Sequence, residues 1–296
     1  MSQPQSSRDL TAEFILLSVV ALWAANFPVA KWGISGFGAL AFNSLRYIVA
    51  SMTLAALYFG RSRWKPIDKG DIKRILLTSM VSNVVYQMAF IIGLSLTSAG
   101  NSAVILSTAP LWIVFISSWM HTEPIRPTMW LGMVVSLAGV VLIISGSGKE
   151  FEFAGEGIAG DLITLAAAML WGLSTNMQKP LLVRYSAIQL NLIMVSLGGV
   201  GLTVIALPDF FTLDPGSVEG SYYVAMLASG VLSIGVANML WSVGVKRLGP
   251  SRTGNFGNLV PVLAFLFAYL VFDEPVRLQQ AVGGAVTLAG VMIARR

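Results

Sequence analysis

The chain contains no cysteine and a single histidine, His121. This inventory excludes disulfide scaffolds, thiol nucleophiles and Cys/His metal centres, so no metal is expected. Charge is just as scarce. Only 11% of the 296 residues are Asp, Glu, Lys or Arg, against roughly 25% in an average soluble domain. A water-soluble protein could not cover its surface with so little charge. With 55% hydrophobic residues and a mean hydropathy of +0.75, the chain reads as one whose solvent is lipid. There is no Walker A pattern, so ATP is not implied and no cofactor is expected. An enzyme embedded in the membrane would need a general base or a metal. His121 lies instead in a polar hairpin beside Glu123, so an enzyme is not expected.

What is present in abundance is long apolar runs. A helix crossing the hydrocarbon core needs about 20 mostly apolar residues. Ten candidates lie near 12–32, 38–59, 73–94, 101–120, 128–146, 159–180, 187–207, 221–245, 252–272 and 277–294. A β-barrel would alternate apolar and polar residues, whereas these runs are continuously apolar. The first is read as a permanent span and not a signal peptide, because its flank is weakly charged and it has a counterpart later in the chain. The expected fold class is therefore an all-α integral membrane protein with ten transmembrane helices.

Basic residues are retained on the cytoplasmic side of a membrane. With the N-terminus inside, fifteen of the nineteen basic residues fall in internal loops and three (Lys31, Lys149, Arg277) outside, while Arg46 lies within the second span. Both termini are expected in the cytoplasm, in the inner membrane of the cell. The net charge of +5 is thus a topology signal, and no basic groove suggests nucleic acid.

One passage is written twice. EPIRPTMWLGMVVSLAGV at 123–140 and EPVRLQQAVGGAVTLAGV at 274–291 match at nine of eighteen positions with an offset of 151. The unit starts also correspond, LWAANFPVAK at 22–31 facing LWGLSTNMQK at 170–179. Five spans per unit is an odd number, so the second copy enters from the opposite face. This predicts two inverted five-helix repeats, 1–146 and 159–296, joined by an external linker at 147–158. Halves built alike and pointing oppositely can rock about a site between them, as in many transporters.

Polar side chains inside spans normally face the bundle or a wet cavity. Asn26, Tyr86, Gln87, Asn101, Asn176, Asn238 and Asn258 cluster at mid-depth, with Gln87 and Asn238 aligned at the offset of 151. Uncharged amides can bond both ends of an amino acid; they also serve as interhelical contacts worth about 0.6 kcal/mol each. Trp23, Trp112, Trp171 and Trp241 lie within spans and could wall an aromatic-accepting cavity. Trp32, Trp64, Trp119 and Trp130 lie near span ends, as interfacial anchors do. Pro110 and Pro261 are equivalents about ten residues into their spans, where proline bends a helix and could serve gating. Arg46 either braces neighbouring groups or holds a substrate carboxylate, and its repeat equivalent is near Met194. The glycines Gly132, Gly139, Gly283 and Gly290 point to close helix contact within one chain or between two copies, leaving monomer and homodimer both open.

The sequence resembles the drug/metabolite transporter superfamily, in particular its EamA-type ten-span exporters. The resemblance covers nearly the whole chain. It rests on ALWAANF in the first span, NSLRY in the second, the N-x-A…P pattern of the fourth and the E-P-x-R…G…LAGV hairpin closing each half. It implies efflux of small metabolites, often amino acids and aromatic ones in particular, through a central cavity formed by spans 1, 3, 4, 6, 8 and 9. Sugars, nucleotide sugars and cationic drugs are the alternative substrates of the same fold. No carboxylate lies at mid-membrane, so a proton-releasing Asp or Glu is not expected there, and facilitated export fits at least as well. Tags placed in 60–72 and in 147–158 should be reached from opposite faces of the membrane; access to both from a single face would contradict the threading.

Overall fold

The computed structural model describes residues 9–60, 64–96, 105–145, 158–263 and 278–294. Asn101, the linker except for its last residue (147–157), the second EPxR passage around Glu274, and the chain ends lie outside the described residues. Nearly all of the described chain is helical, with no strand among the described residues. The elements are α1 (Leu10–Phe37), α2 (Ala39–Phe59), α3 (Lys69–Ser79), a π-helical segment (Met80–Val85) and α4 (Tyr86–Leu96). There follow α5 (Ala109–Trp119), α6 (Pro127–Ser145), α7 (Ile158–Arg184) and α8 (Ala187–Thr212). After a 3-10 turn come α9 (Gly220–Ala228), a second π-helical segment (Ser229–Ala237), α10 (Asn238–Leu248), α11 (Pro250–Gly257) and α12 (Leu278–Ala294).

Among the described residues, five continuous helices are long and apolar enough to cross a membrane: Ala39–Phe59, Lys69–Gly93, Ile158–Arg184, Ala187–Thr212 and Gly220–Leu248. Four shorter apolar stretches, Leu10–Asn26, Ala109–Trp119, Pro127–Ile143 and Ala281–Ala294, accompany them. Their outer faces are apolar too. Phe211 is 86% and Val183 75% exposed, an arrangement that water would penalise and lipid accepts.

Short polar signals punctuate the helices. The Asp9 carboxylate caps α1 by accepting from the Ala12 N–H at 3.0 Å, and Ser186 caps α8 by accepting from Gln189 at 3.2 Å. α1 and α10 each end at a glycine in the left-handed region, Gly38 at φ 75° and Gly249 at φ 89°, where a side chain would be strained. The next helix starts at once in both places.

Two antiparallel helix pairs form seams. In the first, α6 packs along α12. A Cβ on Gly132 would collide with the backbone of Ala294, one on Gly283 with Ile143, one on Gly139 with Thr287, and one on Gly290 with Ser136. Ser136 Oγ donates to the Thr287 carbonyl at 3.3 Å, and Thr287 Oγ1 returns a bond to the Ser136 carbonyl at 3.5 Å. The four glycines thus make an intrachain contact. In the second seam α2 runs against α8, with Ser44 and Thr203 hydroxyls 2.8 Å apart and Gly199 lying against Tyr47 and Ser51.

Among the described residues, helical regularity fails at four places. Two are the π-helical segments, each of which inserts an extra residue into its turn and often marks a functional site. The other two are turns: residues 107–108 precede α5, and Asn258 separates α11 from the helical residues 259–263. Pro110 is the second residue of α5, where its missing N–H leaves no bond unmade, and Pro261 stands three residues after the Asn258 turn.

Gly290→Val should lower thermal stability in detergent by about 1–3 kcal/mol through overpacking. Leu288→Val, at a site 46% exposed on the same helix, should change it by less than about 0.5 kcal/mol. Equal effects would show that the seam is not close-packed.

Candidate functional site

Three tryptophans meet where α1, α7 and α10 converge. The Trp23 ring lies 5.4 Å from Trp171 and 4.9 Å from Trp241, and Trp171 lies 5.7 Å from Trp241. Tyr86, the first residue after the first π-helical segment, extends the layer at 5.1 Å from Trp171. Ring pairs at these separations contribute about 0.5–1.5 kcal/mol beyond burial. Trp112 is not among these contacts. Its indole N–H donates to Thr108 Oγ1 at 3.2 Å, within its own helix and the preceding turn.

Against this layer opens a small cleft of about 20 Å3, enough for about one water, lined by Ser82, Asn83, Trp171, Gln178, Asn191, Met194, Asn238, Trp241 and Ser242. None of these nine is charged. A chain of hydrogen bonds fixes one wall: Asn191 Nδ2 donates to Ser242 Oγ at 2.7 Å, and Ser242 donates to Gln178 Oε1 at 2.8 Å. On another, Tyr47 donates to Asn83 Oδ1 at 3.2 Å and Asn83 Nδ2 donates to Ser82 Oγ at 2.7 Å. Several lining polar groups remain unengaged among the described residues. The Trp241 indole N–H is buried without a partner among the described residues, although buried donors are almost always paired. The Asn238 side chain has no hydrogen bond among the described residues either.

The other expected positions separate by environment. Asn176 is fully buried and saturated. Its Oδ1 accepts from Ser117 at 2.6 Å and Thr122 at 2.8 Å, and its Nδ2 donates to the carbonyls of Ile113 and Gly172, each at 3.0 Å. It clamps α7 to α5 and does not line the cavity. Asn258 is also buried, next to Met133 Sδ at 3.8 Å, with Oδ1 unpaired. Asn26 leaves a buried Oδ1 unpaired. Arg46, 3% exposed, is braced by side-chain oxygens. Nε donates to Asn43 Oδ1 at 2.9 Å, Nη2 to Gln87 Oε1 at 3.0 Å and Nη1 to Ser229 Oγ at 3.4 Å.

The first EPxR passage also has a place. Glu123 Oε1 accepts from the Ser251 N–H at 2.6 Å, so that its carboxylate caps α11. Nearby, Lys179 Nζ donates to the carbonyls of Val245 at 3.1 Å and Lys246 at 3.3 Å, where the α10 helix dipole favours a cation.

Sequence reasoning missed six of the lining residues: Ser82, Asn83, Gln178, Asn191, Met194 and Ser242. A signal existed for one. Asn191 stands 148 residues after Asn43, at the same place in its helix.

The EamA-like transporter family profile matches residues 10–145 and again 158–296. The chain belongs to the EamA-like transporter family. It is a transporter and not an enzyme. Similar proteins include the uncharacterized transporter YoaV of Bacillus subtilis, 25% identical over 94% of this chain and 94% of that one. Another is a protein of Streptantibioticus cattleyicolor named a probable terminal-alkyne amino-acid exporter, 27% identical over 96% of this chain and 93% of that one. A crystal structure of another protein shares the fold with a TM-score of 0.82 at 20% identity, covering 96% of this EamA chain and 98% of that chain.

Asn176→Leu removes four bonds, so it should destabilise the EamA chain by about 2 kcal/mol on the per-bond value for membrane interiors. Thermal unfolding checks this, and ligand affinity should be unchanged. A change in affinity without loss of stability would return Asn176 to the site.

Proposed function

We propose that this chain is a secondary transporter that exports small metabolites, chiefly amino acids including aromatic ones, by alternating access through the tryptophan-walled cavity. The observation that carries the reading is the cavity lining: indoles in edge-on and tilted contact beside uncharged amides and hydroxyls, with the Trp241 N–H and the Asn238 amide unengaged. Indole faces take an aromatic or aliphatic side chain. Neutral donors and acceptors take an ammonium and a carboxylate without requiring a buried counter-charge. The relative named an amino-acid exporter supports the substrate class.

Alternating access rests on ten spans arranged as two inverted repeats, 1–146 and 159–296. The seams support this. Ser136 meets Thr287, its own counterpart 151 residues on, and Gly199 lies against Ser51, 148 residues before it. Residues that meet their equivalents across antiparallel pairs lie about a two-fold axis between the halves, as inverted halves require. The break before Pro110 and the turn before Pro261 are matched in the same way and are assigned a gating role. Both termini are placed in the cytoplasm on the basic-residue bias.

Neutral polar groups beside indole faces also suit a sugar, which makes sugar transport the second reading. Counterflow in proteoliposomes separates the two. External amino acid should accelerate release of internal labelled phenylalanine, external sugar should not, and a proton gradient should not be required. Trp241→Phe keeps the ring and loses the N–H, and should weaken apparent affinity roughly 2- to 10-fold, the value of one net hydrogen bond. Acceleration by sugars alone would overturn the amino-acid reading, and release with no acceleration would indicate a channel.

A further inference from the structure

The buried guanidinium of Arg46 has no carboxylate partner among the described residues. Its three acceptors, Asn43, Gln87 and Ser229, are neutral. A buried charge is normally paired with an opposite one, so this neutral cradle must itself be good at holding an organic cation.

The counterparts of the cradle in the other half of the chain are informative. Helices α2 and α8 begin at Ala39 and Ala187, 148 residues apart, and Gln87 corresponds to Asn238 at 151. Asn43 therefore matches Asn191, Arg46 matches Met194 and Gln87 matches Asn238. All three counterparts line the cavity. The local packing agrees with this correspondence. Ser79 Oγ donates to the Met194 carbonyl at 2.7 Å, and Gly230, 151 residues after Ser79, lies against the Arg46 carbonyl. Likewise Gly201 meets Val84, and its counterpart Thr53 meets Gly235. The cavity and the Arg46 cluster are thus the same place in the two halves. One is filled by a guanidinium on a three-methylene tether, and the other stands open because Met194 carries no such group.

We propose that Asn191 and Asn238 form a receptor for an organic ammonium or guanidinium group, with Arg46 as the built-in occupant of the equivalent position on Asn43 and Gln87. The inference rests on the proposed transport site and names the substrate chemistry recognised there. The side chains are available for it. The bonds of Asn191 run through Nδ2, to Ala187 O at 2.9 Å and Ser242 Oγ at 2.7 Å, which orients Oδ1 as an acceptor without a partner among the described residues. The Asn238 amide is unengaged among the described residues. Amide oxygens are acceptors matched to N–H donors, and hydrogen bonds to a charged donor are about twice as strong as neutral ones.

The test uses purified full-length protein in detergent and two probes of similar shape, phenethylamine and 3-phenylpropanol, with thermal stabilisation as the readout. Phenethylamine should stabilise the wild type saturably at a concentration at least tenfold below that needed for the alcohol. Asn238→Leu should raise the amine requirement at least tenfold and leave the alcohol unchanged. Asn238→Asp, which places an anion beside the same point, should lower it. In Arg46→Ala, n-propylguanidinium should restore thermal stability, while leaving the wild type unaffected at the same concentration. Equal potency of amine and alcohol, or amine potency indifferent to both Asn238 variants, overturns the receptor. Because these are binding measurements, they stand apart from counterflow. Amine binding that depends on Asn238 without amino-acid counterflow keeps the receptor and removes the transport substrate. Amino-acid counterflow with equal potency of amine and alcohol does the reverse.

Discussion

A bilayer offers no partner to an unpaired N–H or C=O, so every departure from regular helix must be settled inside the protein. In this chain the departures fall where they can be settled: two π-helical segments and two turns, all adjoining other helices. The first π-helical segment is held from outside by Ser79 on the Met194 carbonyl and from within by Ser82 on the Thr78 carbonyl. The second begins at Ser229, which accepts from Arg46. Side chains thus steady the helices where the turn widens, and the same side chains, or their neighbours one turn away, frame the cavity and the Arg46 cluster.

The same scarcity of partners sorts the polar side chains. A buried amide in lipid usually finds partners inside the protein. Asn176 found four, and it is accordingly a joint between helices. Trp241 and Asn238 found none for their side-chain polar groups among the described residues, and both face the cavity. Burial alone does not separate these cases, because Asn176 and Trp241 are both nearly inaccessible. What separates them is whether a hydrogen-bonding group is already in use.

This sorting marks the limit of what could be read from the sequence. Continuously apolar runs identify helices in a membrane without any knowledge of contacts, and the repeated passage at 123–140 and 274–291 falls on the seam of α6 and α12, as far as it is described. Trp23, Trp171 and Trp241 were singled out and do come together. Asn176 faces another helix, since its partners Ile113 and Ser117 lie at positions no local pattern specifies, and Trp112 bonds back to Thr108 in the turn before its own helix. The π-helical segments were not foreseen. One inserted residue leaves composition and hydropathy unchanged and shows only as a shift in which side chains share a face. That shift carries Ser82 and Asn83 into the lining, which is why neither was identified.

The mechanical contrast between the seams and the irregular segments follows from their chemistry. In α6 and α12 glycines let the two backbones touch, and there is no room for sliding without collision. Interiors packed this closely transmit displacement as rigid bodies. A π-helical turn is rare, appears mostly as a single-turn bulge inside an α-helix and frequently marks a functional site. On the proposed reading, motion between the halves is concentrated at Met80–Val85 and Ser229–Ala237 and excluded from the glycine seam. Arg46 bears on both π-helical segments. Its guanidinium holds Ser229, the first residue of one, and Gln87, the second residue beyond the other. Any movement that parts those two residues must strip a buried cation of neutral partners it cannot replace from lipid, so the Arg46 contacts tie the two π-helical segments together.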